Sequence, residues 1–241
     1  MIPLRDLNPT RRVPIMTIVL IAINALVFFY ELSLSSRGQQ RLFLQYGAVP
    51  ARLTDGSITA NDALTLVTSM FLHGDWLHIL GNMLYLWIFG NNIEDRLGIV
   101  RFTLFYFLSG LAAGAGQILV SPSSTVPMIG ASGAIAGVLG AYIVLFPRAR
   151  VQTLIFFGFW IQVVNLSAVA LLGWWFFLQI LNGVLSLGAY AGGGVAFFAQ
   201  IAGFIVGAIL IRFFTLGRGS RGDWWQSPPT DSPPRSDRWW N

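Results

Sequence analysis

Residues 131–147 read ASGAIAGVLGAYIVLFP, a run without a single charged side chain. A helix needs roughly 17 to 25 mainly apolar residues to cross the hydrocarbon core of a bilayer, so this run predicts a membrane span. Five further apolar runs predict spans at about 13–32, 77–95, 101–120, 165–182 and 195–214. The sequence therefore predicts an all-α fold, a polytopic membrane helix bundle with six transmembrane helices.

The composition excludes several classes of protein. Only 10% of the 241 residues are charged and 55% are hydrophobic, whereas a soluble domain carries about 25% charged residues. All 15 basic residues are arginines scattered between the apolar runs, which indicates topology signals and not a nucleic-acid contact. The chain has no cysteine, so disulfides, thiolate metal sites and a cysteine nucleophile are excluded. We expect a lipid bilayer around the chain, and no nucleic acid, cofactor or metal.

The arginines also predict the orientation of the spans. If the N-terminus is cytoplasmic, twelve arginines lie inside and only Arg37, Arg41 and Arg52 lie outside, as the positive-inside rule requires. We therefore predict an integral membrane protein with both termini cytoplasmic, in a bacterial plasma membrane. Its parts are a cytoplasmic N-terminus at 1–12, a membrane domain at 13–214 and a disordered cytoplasmic tail at 217–241, whose Gly, Ser, Pro and Arg content cannot form a core.

Two connections between the predicted spans are unusual. Residues 33–76 are long and only moderately apolar, which favours a segment lying in the membrane interface. Residues 151–164 are apolar but directly follow Arg148 and Arg150, which favours a re-entrant or interfacial segment leading into the fifth span. A seventh span in this second stretch is the alternative.

A candidate nucleophile stands where a polar loop enters the fourth span. Ser132 lies between small residues at a predicted helix start, in the sequence Gly130-Ala-Ser132-Gly133. A serine at a helix start lies beside free backbone N–H groups and at the positive end of the helix dipole. Both can stabilise the oxyanion that forms when a serine nucleophile attacks a carbonyl group. The alternative is an ordinary helix cap beside small residues that pack two helices together.

A second polar cluster precedes the second predicted span, in the sequence His73-Gly-Asp-Trp-Leu-His78-Ile-Leu-Gly-Asn82. His78 and Asn82 are four residues apart, so on a helix they share one face and can donate hydrogen bonds to one point. The alternative is that they bond neighbouring helices, while His73 pins the loop. Polar side chains at this depth are costly without a purpose, and the residues alone leave both readings open.

Four motifs, taken in order and spacing, resemble the rhomboid intramembrane serine proteases over roughly residues 13–214. They are His78-x-x-x-Asn82, Glu94-Asp95-Arg96-Leu97-Gly98, Gly130-Ala-Ser132-Gly133, and the sixth-span run Ala199-Gln200-Ile-Ala-Gly203-Phe-Ile-Val-Gly207. The resemblance implies that Ser132 is the nucleophile position, with His78, Asn82 and the Ser132 N–H forming an oxyanion hole. It also implies structural roles for Glu94 and Arg96, and a first connection embedded sideways in the outer leaflet.

The sequence departs from the family pattern at one position. Where the family places its catalytic histidine, this chain has Gln200. A neutral amide can donate or accept a hydrogen bond, but it cannot take a proton from Ser132 near pH 7. The small residues Ala199, Gly203 and Gly207 are spaced to face Gly133, Gly137 and Ala141 of the fourth span, which predicts that Gln200 lies near Ser132. Simple helix packing with a Ser–Gln hydrogen bond is the alternative for this pair.

Three functions remain open from the sequence. The first is a rhomboid pseudoprotease that binds transmembrane segments of client proteins without cutting them. The second is an active intramembrane serine endopeptidase in which His78 or water accepts the proton. The third, a channel or transporter, is disfavoured because no intramembrane charge pairs or broken-helix repeats occur away from Ser132.

Overall fold

The computed structural model of the protein describes residues 1–157, 160–187 and 196–216. Within these ranges the helices are α1 Ile15–Ser33, α2 Ser36–Tyr46, α3 Pro50–Thr54, α4 Ala60–Thr68, α5 Trp76–Tyr85, α6 Asn91–Leu97, α7 Ile99–Val120, α8 Ser132–Leu145, α9 Ala168–Ser186 and α10 Phe197–Phe214. The strands are β1 Ile2–Asp6, β2 Arg150–Phe157 and β3 Trp160–Ser167. The predicted tail at 217–241 lies outside the described residues.

A helical bundle forms the body of the molecule. Four helices, α1, α7, α9 and α10, are long and apolar enough to cross a membrane. Helical structure also occupies the other two predicted positions, as the 14-residue α8 and as a continuous run in which a π-helical turn, Leu86–Gly90, joins α5 to α6. The predicted membrane helix bundle is therefore confirmed, and the count of six spans stays a prediction.

Helix α8 lies at the centre of the bundle, in close contact with α10. A Cβ atom added to Gly203 would overlap the carbonyl oxygen of Gly133, and one added to Gly207 would overlap that of Gly137. The pairs succeed each other in the same order along both helices, so α8 and α10 run parallel. Gly140 adds a further close contact, since a Cβ atom there would overlap the carbonyl oxygen of Phe204. Small residues thus allow the two backbones to touch, as in other membrane helix pairs.

The first connection contains three short helices, α2 to α4, followed by a 3-10 turn at Ser69–Phe71. Ser35 caps α2 through the Gly38 N–H, and Thr59 caps α4 in a reciprocal arrangement with Asp62. Backbone hydrogen bonds in both directions join Ala48 to Met128 in the loop before α8. This connection therefore helps to hold the loop that leads to Ser132.

A three-stranded antiparallel sheet, in the order β1-β2-β3, lies beside the bundle. Strands β2 and β3 form a hairpin, and the N-terminal β1 adds to its edge, with Pro3 paired to Thr153. The sequence predicts a re-entrant or interfacial segment at 151–164 and gives no indication of this sheet. The described residues of that stretch contain no helix, so the alternative of a seventh span there is wrong.

The carboxylate of Glu94 joins α6 to the start of α1. Its Oε1 accepts the Met16 N–H at 2.8 Å, and its Oε2 accepts the Thr17 N–H at 2.7 Å and the Thr17 hydroxyl at 2.8 Å. Helix α1 has no cap from its own preceding residue, Pro14. A negative group at a helix N-terminus satisfies free N–H groups and complements the dipole. These contacts support the structural role expected of Glu94.

Candidate functional site

Ser132 is the first residue of α8 and is half-buried. It follows the fully buried Ala131 and a tight turn at Gly130, where φ is +116°. The Gly130 N–H donates to the carbonyl oxygen of Ser69 at 2.8 Å, which ties this turn to the first connection. Because a side chain is strained at this φ, glycine is required at position 130 to bring the chain into α8 at this angle.

His78 and Asn82 converge on the same turn from α5. Asp75 caps α5 by accepting the His78 N–H at 2.9 Å, which fixes the start of the helix. A Cβ atom at Gly130 would lie 2.5 Å from His78 Nε2 and 3.6 Å from Asn82 Nδ2. The structure therefore brings His78 and Asn82 together, two residues before Ser132 in the chain.

Behind Asn82 lies a buried network that includes His73. Asn82 Nδ2 is 2.9 Å from His73 Nε2, and since an amide nitrogen can only donate, His73 Nε2 accepts and Nδ1 carries the proton. Burial, together with the nearby His78, lowers the pKa of His73 to about 4, so its ring is neutral at pH 7. The His73 backbone N–H donates to both oxygens of Glu31, at 3.2 and 3.3 Å.

Sequence reasoning missed Glu31, although a signal was present. This carboxylate is 1% exposed and belongs to α1, in which it is the only charged side chain. An acidic residue inside a predicted span is expensive and indicates a specific partner. The partner is the loop that carries His73, so α1 helps to position the donors on α5.

Gln200 lies on α10 and is 8% exposed. A Cβ atom at Gly133 would lie 4.0 Å from both the Cβ and the carbonyl oxygen of Ala199, so α8 contacts α10 at this pair. Ser132 directly precedes Gly133, and Gln200 directly follows Ala199. The start of α10 is held by Gln117, whose Oε1 accepts the Ala199 N–H at 3.2 Å. Among the described residues, however, neither the Ser132 hydroxyl nor the Gln200 amide has a hydrogen-bond partner. The Ser–Gln hydrogen bond of the simple packing alternative is therefore not formed.

The arrangement supplies hydrogen-bond donors around Ser132. The imidazole of His78, the amide of Asn82 and the free N–H groups at the start of α8 surround one turn, where they can stabilise a developing negative charge. No basic side chain stands at position 200. Within the described ranges, no group of three or more His, Cys, Asp or Glu residues is placed to hold a metal ion.

The remaining predicted residues lie away from this turn. Gly203 and Gly207 hold α10 against α8, below the start of both helices. Glu94 lies on α6 and contacts the start of α1, whereas the site lies beside the start of α5. Arg96 shares α6 with Glu94. These positions are consistent with packing roles.

Comparison with known proteins identifies the family. The rhomboid domain profile matches residues 60–216. The chain is 34% identical over 97 residues to Rhomboid protein 1, mitochondrial, of Saccharomyces cerevisiae, which covers 39% of this chain and 28% of that protein. It is 31% identical over 149 residues to Rhomboid-like protein 11, chloroplastic, of Arabidopsis thaliana, which covers 60% of this chain and 50% of that protein. It is 34% identical over 138 residues to Rhomboid protease GluP of Bacillus subtilis, which covers 56% of this chain and 26% of that protein.

These matches cover half or less of the length of each relative. The domain match covers more than half of this chain and includes α5, α8 and α10, the helices that carry His78, Ser132 and Gln200. The helical bundle has the apolar helices that such a domain requires. This chain is therefore an integral membrane protein of the rhomboid family.

Proposed function

We propose that this chain is a catalytically impaired rhomboid protein that binds transmembrane segments of client proteins beside Ser132 without cutting them efficiently. The observation that carries the proposal is Gln200, at the position where the family resemblance implies a histidine. The donors that the resemblance assigns to the oxyanion hole, His78 and Asn82, are in place beside Gly130. This geometry and the glutamine at position 200 support a scaffold that keeps its donors and lacks its base.

The chemistry of serine proteolysis explains why this replacement matters. A serine hydroxyl is a weak nucleophile until a group within hydrogen-bond reach accepts its proton. The amide of Gln200 has no site that takes a proton near neutral pH. In another serine protease, loss of the histidine lowered kcat by about 10⁶. Binding of a substrate helix does not need the base, so it can persist when cleavage is lost.

The second candidate is an active protease with an unconventional base. It is favoured by the imidazole of His78, which has no hydrogen-bond partner among the described residues and lies against Gly130. In this case His78 or a water molecule accepts the proton from Ser132. His73 is less suited, because its Nε2 is already bonded to Asn82.

The orientation in the membrane is part of the proposal. Pairing of β1 with β2 brings the N-terminus beside the connection between α8 and α9. This closeness supports an even number of spans between these two segments, which places both on the same side of the membrane. The arginine asymmetry supports a cytoplasmic location for these two segments and for both termini. The proposal includes a membrane domain at 13–214 and a cytoplasmic tail at 217–241. Single cysteines added to this cysteine-free chain test the orientation, since residues 121–129 should be labelled from outside and residues 148–150 from inside.

Restoring the base tests the function. We expect the parent chain to bind a model transmembrane substrate in lipid with little or no cleavage, and the Gln200→His variant to cleave it. Adding Ser132→Ala to that variant should abolish cleavage and keep binding. Gln179→His makes the same substitution on α9 and is the matched control, which should leave cleavage at the parent level.

Two results would contradict the proposal. If the parent already cleaves at a rate that Gln200→His does not raise and Ser132→Ala abolishes, an unconventional base operates. If the parent binds no transmembrane segment in crosslinking or energy-transfer assays, client binding is not its function.

A further inference from the structure

The exposed face of the β2–β3 hairpin carries polar side chains near its base. Arg150 is paired directly with Ser167, and Gln152 is paired with Asn165. Side chains of directly opposed residues point to the same face of a sheet, and alternate residues along a strand share that face. These four side chains therefore lie together. The opposite face is buried, since Val151 and Thr153 are 0% exposed.

An open cavity of about 670 Å³ lies at this base, between the end of α8 and the start of α9. It is lined by Pro147, Arg148, Arg150, Asn165, Ser167 and Val169. The lining contains two positive charges and no acidic residue. Both arginines are exposed, and neither guanidinium has a hydrogen bond or ion pair with another residue in the described parts of the chain. The cavity is thus suited to an anion.

The backbone around the cavity is fixed before any ligand binds. The carbonyl oxygen of Arg150 accepts the Leu7 N–H at 2.8 Å, and the Ala168 N–H donates to the carbonyl oxygen of Ala149 at 2.8 Å. Ser167 caps α9 by accepting the Ala170 N–H. Because this backbone is already ordered, binding of a ligand costs less conformational entropy, which favours a higher affinity.

An apolar stripe runs from the cavity along α9. Val169 lines the cavity, and Phe177, Ile180 and Val184 follow it on the same helical face. These side chains are between 41% and 57% exposed. Helix α9 is one of the helices long and apolar enough to cross the membrane. In a bilayer that α9 crosses, the stripe would face lipid chains, and the cavity at the start of α9 would lie at the level of the headgroups.

We propose that this cavity binds a phosphate group, and that the group belongs to an anionic phospholipid whose acyl chains lie along α9. Arg148 and Arg150 hold the phosphate, because guanidinium forks match phosphate oxygens in two hydrogen bonds. Asn165 and Ser167 line the same cavity and add polar groups. A free phosphate would use only the polar lining of the cavity, whereas a lipid uses that lining and the stripe together.

Binding is measured on the full chain in detergent by native mass spectrometry, with phosphatidylglycerol, phosphatidylcholine, glycerol 1-phosphate and inorganic phosphate as separate probes. We expect phosphatidylglycerol to bind more tightly than phosphatidylcholine. The double variant Arg148→Gln/Arg150→Gln should lose about tenfold or more of the phosphatidylglycerol affinity, given the size of arginine interactions with anionic lipids. Arg37→Gln/Arg41→Gln removes the same charge from exposed positions on α2 and should bind like the parent.

A charge-preserving variant guards against a folding defect. Arg148→Lys/Arg150→Lys keeps both charges without the planar fork, and we expect an affinity between those of the parent and the glutamine variant. If the glutamine and lysine variants both bind phosphatidylglycerol like the parent, the site is wrong. If inorganic phosphate or glycerol 1-phosphate displaces phosphatidylglycerol from the parent at equal concentration, a soluble anion is the ligand and the lipid assignment fails.

Discussion

Removing the carboxylate of Glu94 is predicted to destabilise the bundle without touching the site. Glu94 is 3% exposed and accepts three hydrogen bonds from the first turn of α1, two from backbone N–H groups and one from the Thr17 hydroxyl. The Glu94→Ala substitution leaves all three donors without this acceptor. Since α1 has no other side-chain cap, its N-terminus loses its attachment to α6.

The magnitude follows from the three contacts. A hydrogen bond to a charged group contributes about 1.5 to 3 kcal/mol, but bonds that share one acceptor group do not add fully. Water can also reach the half-buried end of the helix. We therefore expect Glu94→Ala to lower the free energy of unfolding by about 3 to 5 kcal/mol. Thr17→Val removes one of the three donors and should cost about 1 to 2 kcal/mol.

Thermal unfolding of the purified chain in detergent measures the effect as a fall in Tm. Asp62→Ala is the matched control, because Asp62 also accepts hydrogen bonds at a helix start but is only half-buried, so its loss should cost less. Thr17→Val should lower the free energy of unfolding less in the Glu94→Ala background than in the parent chain, because the two residues share one hydrogen bond. A Glu94→Ala variant whose Tm falls no further than that of the Asp62→Ala control would refute the reasoning.

Three further predictions concern other sites. Gly130→Ala should lower Tm more than Gly56→Ala, since both have positive φ but only a Cβ at 130 meets an imidazole nitrogen, at 2.5 Å; equal losses would mean that backbone strain alone is responsible. Gly203→Ala should separate α10 from α8 and lower Tm, whereas Gly173→Ala has open space and should not; a stable Gly203→Ala variant would contradict the close contact. Burial raises the pKa of Asp6 from 3.8 to about 6, so the stability it contributes is present below about pH 4 and is lost as pH rises through 6. Asp6→Asn should flatten that part of the stability curve from pH 4 to 7, and an unchanged curve would exclude Asp6 as its source.

The candidate site could be predicted in part. The spacing of His78 and Asn82 on one helical face, and the serine at a helix start, are local features, and the structure places both donors at the turn before Ser132. The Glu31 contact to His73 joins residues that are 42 apart in the chain, and no short motif encodes it. The absence of a hydrogen bond between Ser132 and Gln200 among the described residues likewise depends on how two helices meet.

By itself, the sequence determined the membrane class and the positions of the long apolar helices, and it showed Gln200 where the family resemblance implies a histidine. It could do so because in lipid each backbone group must be satisfied within its own segment, so a spanning helix is encoded locally by length and composition. Only the tertiary structure decided the sheet, since β1 and β2 pair across more than half of the chain and their residues give no local signal for that pairing. The cavity beside Arg148 and Arg150 and the attachment of α1 to Glu94 also exist only after distant segments have packed together.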